Sequence, residues 1–289
     1  MKYRSLLMLI RPVFVSALLA QAGCTTGTGS KRFSFEAQVG GAVANDGAPF
    51  TFNNETGWTI TLEQADVTLG PIYLNVVVPL SDTKTSLLDL LVRPAWAQGA
   101  GHLNAGRVVG EVLAQTTFSA LSDELVTFPS AGTITEEQVR TVDVWFYPEP
   151  GVSPDTTKIA SVALNVAGTA VRGADRVPFR GALILNDAWL SEQAAGARGT
   201  QSIAAIRQVR GIPAAFVPHE GGRLEVRFDV TRAFRGANFA NLSANPTDAD
   251  GTKVLVQAKT GKVTTDQVMT NLYQGLRAVD TYTVDWTNP

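Results

Sequence analysis

Alternation of apolar and polar side chains is the feature that leaves this chain the fewest folds. In RFSFEAQV, Phe33, Phe35, Ala37 and Val39 fall on one side and Arg32, Ser34, Glu36 and Gln38 on the other. A repeat of two is the repeat of a half-buried strand, and it would scatter the same residues around a helix. In GWTITLEQADVTLGPIYLNVVVPL the pattern returns as Trp58, Ile60 and Leu62, then as Val67 and Leu69. After the Gly70-Pro71 break it resumes with Ile72, Leu74, Val76 and Val78, so this stretch reads as consecutive strands separated by a bend.

Further strands are expected at 107–113, 115–121, 139–147, 158–167, 177–185, 203–212, 223–230, 253–259 and 281–286, with Gly, Pro, Asn and Asp breaks between them. Many short strands with regular breaks predict a mainly β fold, an antiparallel β-sandwich of immunoglobulin-like or jelly-roll-like type. Helix is scarce. In TTDQVMTNLYQGLRA, Thr264 and Gln267 make a capping-box pair ahead of Val268, Met269, Leu272, Tyr273 and Leu276 at helical spacing, which predicts one short C-terminal helix. Shorter helices are expected at 83–92 and around 187–197. A polar stretch at 191–202 reads as a surface loop, and the turn-rich EPGVSPDTT at 149–157 marks a split near 150 as the alternative to one domain over 32–289.

Residues 1–23 stand apart. Lys2, Arg4 and Arg11 precede or interrupt the apolar runs LLMLI and VFVSALLA, which lead to Ala20, Ala22 and Gly23. This is the layout of a secretory signal peptide, and its apolar runs are far shorter than the ~20 residues of a membrane span. Its removal takes three cations and no anions, moving the formal charge from −2 to −5. Two cleavage routes compete. Ala20-Gln21-Ala22 suits ordinary signal peptidase, which would leave Cys24 as a thiol near the new N-terminus. Ala22-Gly23-Cys24 resembles the end of the bacterial lipobox, with Gln21 where leucine is usual. The favoured reading is acylation of Cys24, the chain's one cysteine. A palmitate-type anchor would then be followed by a flexible tether over 24–31, and Thr25 after the cysteine implies, by the same resemblance, delivery to the outer membrane, facing the periplasm or the cell exterior.

The rest of the composition points away from catalysis and from nucleic acid. The 289 residues, 45% hydrophobic, suffice for a large core without disulfides, and a formal charge of −2 offers no basic excess for a phosphate backbone. Two histidines and one cysteine supply little acid–base or soft-metal chemistry near neutral pH. There is no GxSxG, HExxH or GxxxxGK[ST] motif. A hydrolytic β-domain would need a carboxylate pair, and no pair stands out.

A few residues are candidates for sites. His102 lies among glycines in QGAGHLNAGRVVGE, and His219 precedes Glu220 in VPHEGGR. Brought together, His102, His219 and Glu220 would suit copper or zinc, while a surface or turn role is the first expectation for each histidine. NPTDADGT (245–252) places Asp248 and Asp250 like calcium ligands, but Pro246 and Gln257 occupy the positions that need a carboxylate. An acidic β-turn is the reading, with a weak Ca²⁺ site at the two aspartates as its alternative. Asp229 is expected to cap a turn or to pair with Arg232. Trp58 and Trp286 keep the apolar phase of their strands and are expected in the core, whereas Trp96, Trp145, Tyr147 and Trp189 would be the members of a sugar-stacking surface.

FSFEAQVGG followed by GWTITLEQADVTLGPIYL resembles the opening of bacterial periplasmic and outer-membrane β-sandwich lipoproteins, and is similar to the copper-binding periplasmic proteins associated with methanobactin handling. The copper family carries further cysteines in its mature domain and this chain has none after Cys24, so no ligand residue transfers. The expectation is a lipid-anchored envelope protein that acts by binding an envelope protein or glycan without catalysis. A periplasmic copper or zinc protein is the first alternative, and a carbohydrate-binding or hydrolytic domain the second.

Overall fold

A computed structural model describes residues 31–43, 49–76, 107–146, 162–185, 207–240, 242–243, 245–256 and 267–289. Met1–Lys31 and Arg32–Pro289 separate as two units. The second contains strands β1 (Arg32–Gly41), β2 (Phe50–Asn53), β3 (Thr59–Leu69), β4 (Ile72–Asn75), β5 (Val108–Val112), β6 (Thr116–Ser119), β7 (Val126–Thr127), β8 (Gly132–Thr135), β9 (Val139–Trp145), β10 (Val162–Arg172), β11 (Asp175–Ile184), β12 (Gln208–Phe216), β13 (Arg223–Phe228), β14 (Lys253–Leu255) and β15 (Tyr282–Thr287). Among the described residues it also holds two short helices, α1 (Val230–Ala233) and α2 (Gln267–Leu276), and a 3-10 turn at Val279–Thr281. Among the described residues no helix is long and apolar enough to cross a membrane.

The strands form two mixed sheets. The larger runs β12-β9-β4-β5-β8-β1-β13-β15, with β7 also on β1, and the smaller runs β14-β11-β10-β3-β2, with β6 also on β3. Both interleave strands from before and after residue 150. The short strands and regular breaks pointed to antiparallel pairing, yet β1 pairs with β13 and β11 with β14 in parallel. Side-chain period is the same in either ladder, so it carries no information on strand direction. The larger sheet nearly closes on itself in the manner of a barrel. Its end strands β12 and β15 meet through side chains, with Phe216 stacked on Trp286 at 5.5 Å and Trp286 in turn 5.3 Å from Phe35 of β1. Pro213, which cannot donate to a ladder, and two register shifts mark β12 as an edge strand.

One apolar cluster is shared by both sheets, and it contains the alternating residues of each strand: Phe33, Phe35, Ala37 and Val39 from β1, and Ile72 and Leu74 from β4. Fully burying one such side chain contributes about 1.5–3 kcal/mol. In β3 the buried residues run Trp58, Ile60, Leu62 and then Ala65, Val67, Leu69, a spacing of three where two is the rule. The pairing with β10 shows why. Leu62 opposes Gly168 and Gln64 opposes Ala167, leaving Glu63 as an unpaired extra residue, a bulge that returns the apolar phase to the core. At Gly168 a Cβ would lie 2.2 Å from the Thr61 carbonyl oxygen, so only glycine fits opposite the bulge.

The bend between β3 and β4 carries the chain from the smaller sheet to the larger. Gly70 has φ +123° and a Cβ there would sit 2.2 Å from the Ala114 carbonyl oxygen; the Gly70–Pro71 peptide is cis. Helix α2 buries Val268, Met269, Leu272 and Leu276, four of the residues its spacing singled out. Among the described residues a second helix, the four-residue α1, lies where none was expected. Asp229 caps it, accepting from the Thr231 and Arg232 N–H groups at 2.9 and 3.4 Å. The expected helices at 83–92 and 187–197, the 191–202 loop, the 149–157 stretch and Thr264 lie outside the described residues.

Candidate functional site

Polar residues gather on the face of the larger sheet that turns away from the apolar cluster. Ile72 and Leu74 of β4 and Val142 and Val144 of β9 belong to the cluster. Tyr73, Asn75, Thr141, Asp143 and Trp145 therefore lie on the opposite face, with Tyr73 level with Asp143 and Asn75 level with Thr141. Gln208 of β12 is level with Trp145. Every one of these residues is buried, Asn75 at 0% and Asp143 at 1% exposure.

A bulge builds the centre of this patch. The register between β9 and β12 slips between Val209 and Ile212, and Gly211 takes φ +74° there. Its N–H consequently points at Asp143 and donates to Oδ1 at 2.8 Å. Burial pushes the Asp143 carboxyl above its ordinary value, opposed by the Gly211 hydrogen bond, the Arg210 charge and, least, the Asn75 amide. Although Asn75 is close enough to exert that pull, neither its Oδ1 nor its Nδ2 makes a hydrogen bond of good geometry. The Arg207 guanidinium lies over the Trp145 ring, 5.4 Å from its centroid, and the ring stands edge-on to Tyr73 at 6.3 Å. Chemically this is one protonatable acid beside an amide and the Arg210 guanidinium, with a second guanidinium, Arg207, on the neighbouring indole.

A second feature opens to solvent. A groove of about 450 Å³ crosses β1 and is lined by Ser34, Glu36, Thr127, Ser130 and the Gly221-Gly222 turn among others. Glu36 accepts from Gln38 Nε2 at 2.5 Å and from the Thr127 hydroxyl at 3.5 Å, so its carboxylate is tied to its own sheet.

The residues singled out from sequence are placed as follows. His219 Nδ1 lies 2.9 Å from Glu136 Oε1, and its carbonyl accepts from Gly222 N–H at 3.0 Å to close the turn that also holds Glu220. The carboxylate that meets this imidazole is thus Glu136, a partner from a different turn that sequence spacing did not indicate. Asp248 takes a two-pronged grip from Arg180, Nε at 2.6 Å and Nη2 at 3.1 Å. Asp250 accepts from Thr252 N–H at 3.0 Å, and the Thr252 hydrogen bonds hold its carboxyl below the ordinary value. With Gly251 N–H donating to the Asp248 carbonyl at 3.0 Å, this segment is the acidic turn, its first aspartate engaged by a guanidinium. Among the described residues no three His, Cys, Asp or Glu side chains converge. Trp145 is 4% exposed, with no ring face open for a sugar. Trp58 is fully buried and Trp286 partly so. Cys24, Trp96, His102, Tyr147 and Trp189 lie outside the described residues.

The chain matches no family model, no curated protein and no solved structure. Its own geometry therefore carries the functional argument. Sequence reading passed over Asn75, Asp143, Arg210 and Gly211. The available signal was a pair of polar residues, Asn75 in IYLNVVV and Asp143 in VDVWF, each set inside a run rich in β-branched residues.

Proposed function

We propose that this chain is an exported protein, acylated at Cys24 and held on the outer membrane, whose β-domain acts by binding an envelope protein or glycan without catalysis. The observation that carries the reading is the boundary between Lys31 and Arg32, where the first strand begins directly after the stretch read as leader and tether. A domain that starts within eight residues of its acylated cysteine is what an anchored binding module requires. Binding is favoured over hydrolysis because the buried acid of the larger sheet, Asp143, has amide and guanidinium neighbours, and a second carboxylate is what glycoside hydrolysis would need. The two sheets with their shared core are read as the layers of the expected sandwich.

Labelling cells with a palmitate analogue tests the anchor. The wild-type chain is expected to take the label and to fractionate with the outer membrane, and Cys24→Ala to lose the label and appear in the soluble periplasm. Unchanged membrane fractionation of the variant would remove the anchor from the account.

A further inference from the structure

We infer that the solvent-open groove across β1 is a saccharide-binding site in which the Glu36 carboxylate accepts from the hydroxyls of a sugar. A glycan is one of the two partners that the binding role above allows, and the site rests on that role. Strand pairing makes the groove. On one side β1 pairs with β8 through Arg32–Phe35 and with β7 through Gln38 and Val39, so the chain between those two strands leaves the ladder beside Glu36 and Ala37. Phe128 N–H returns to the Ala37 carbonyl at 2.9 Å, and Pro129 has no N–H to offer the sheet. On the other side β13 begins its pairing only at Arg223, level with Glu36. The Gly221-Gly222 turn that precedes it lines the groove. A Cβ at Gly222 would lie 2.4 Å from Trp286 Nε1, so the turn lines the groove with bare backbone.

Size, charge and hydrogen bonding select the ligand. A volume of about 450 Å³ falls within the ~300–1,000 Å³ of small-molecule sites and is far more room than a lone ammonium group would fill. Glu36 is the one charged side chain among the described lining residues, and it would repel an anion. Its Oε1 accepts from Gln38 Nε2 at 2.5 Å and from the Thr127 hydroxyl at 3.5 Å, and Gln38 Nε2 also reaches Thr127 Oγ1 at 3.1 Å. These bonds hold the carboxylate in place and leave Oε2 without a partner among the described residues. The Ser34 and Ser130 hydroxyls in the lining are likewise unengaged among the described residues. A neutral sugar has the matching chemistry, since each of its hydroxyls can donate to a carboxylate and accept from a serine. One carboxylate is half of the acid pair that glycoside hydrolysis needs, so the groove would hold a glycan without cleaving it.

Saturation-transfer NMR on the mature protein, extracted in a detergent without a sugar headgroup, tests the site. The probes are cellobiose, maltose, lactose, mannobiose and N,N′-diacetylchitobiose, each titrated to concentrations on the order of 10 mM, with n-butylammonium as the cationic comparison. At least one disaccharide is expected to bind, Glu36→Gln to weaken it about tenfold or more, and Ser130→Trp, which fills the groove, to abolish binding. Both positions are exposed, where substitutions leave folding nearly unchanged, and an unchanged Tm checks that the fold is kept. Binding of none of the disaccharides, binding that either variant leaves unchanged, or binding of n-butylammonium in place of the sugars would overturn the site. The palmitate label reads the anchor alone, so sugars that fail while the label is taken up remove the groove and leave the anchored protein with a protein partner.

Discussion

Single side chains carry two kinds of information here, and only one was legible in advance. Asp229 lies near the end of a strongly alternating strand, a place that suits a cap or a partner of Arg232. It is both, accepting the first N–H groups of α1 and lying 3.3 Å from Arg232 Nε. Replacing it with alanine is expected to cost about 1 kcal/mol, the usual worth of an N-cap, measured by urea denaturation. Asp143 was harder to read. On strand periodicity it shares a face with Trp145, and that face was open to assignment as solvent because alternation marks two sides without saying whether both are covered. The structure buries both sides of β9 at this point. Since burial raises the Asp143 pKa above 3.8, the folded chain holds this proton more tightly than the unfolded chain. Stability from this group therefore falls as pH rises from the ordinary carboxylate value to the raised one, and stays lower above it. Asp143→Asn removes that loss. The Tm of the variant minus that of wild type should grow over the same interval and then level off, and thermal melts from about pH 3 to pH 8 read it directly.

At the scale of elements, strand existence was written in the sequence and strand partnership was not. Each of the nine later strands expected from alternation overlaps an observed one, from β5 to β15, while one end each of those expected at 139–147, 158–167, 203–212 and 253–259 lies outside the described residues. Even the bulge in β3 left a trace, since Leu62 and Val67 differ by an odd number and cannot share a face of an unbroken strand. The parallel pairings left none, because a parallel partner is chosen by the route of the connections and not by side-chain period. Gly168 gives the bulge a test. A valine there would drive its Cβ into the Thr61 carbonyl, and a cost of about 1–3 kcal/mol or more in chemical denaturation is expected. The seam between β12 and β15 gives another. Trp286 packs on both Phe35 and Phe216, so Trp286→Ala is expected to destabilise the domain by about 3 kcal/mol, read by the same denaturation.

For the whole molecule, two stretches of sequence make separate statements. The first 31 residues hold the charges, apolar runs and cysteine on which the proposed export and anchoring rest, and the described strands from Arg32 onward bury two sheets on a common core. A buried polar cluster assembled from distant strands, such as Asn75, Asp143 and Gly211, could not be seen until register was known, because each residue alone is an ordinary polar or glycine position. The central claim is that the mature protein begins with an acylated Cys24. Mass spectrometry of the N-terminal peptide from membrane-extracted protein tests it most directly. A first residue Cys24 carrying a diacylglyceryl group and fatty acid is the predicted result; a chain that starts at Gly23 with a free thiol, or one that retains residues 1–23, would contradict it.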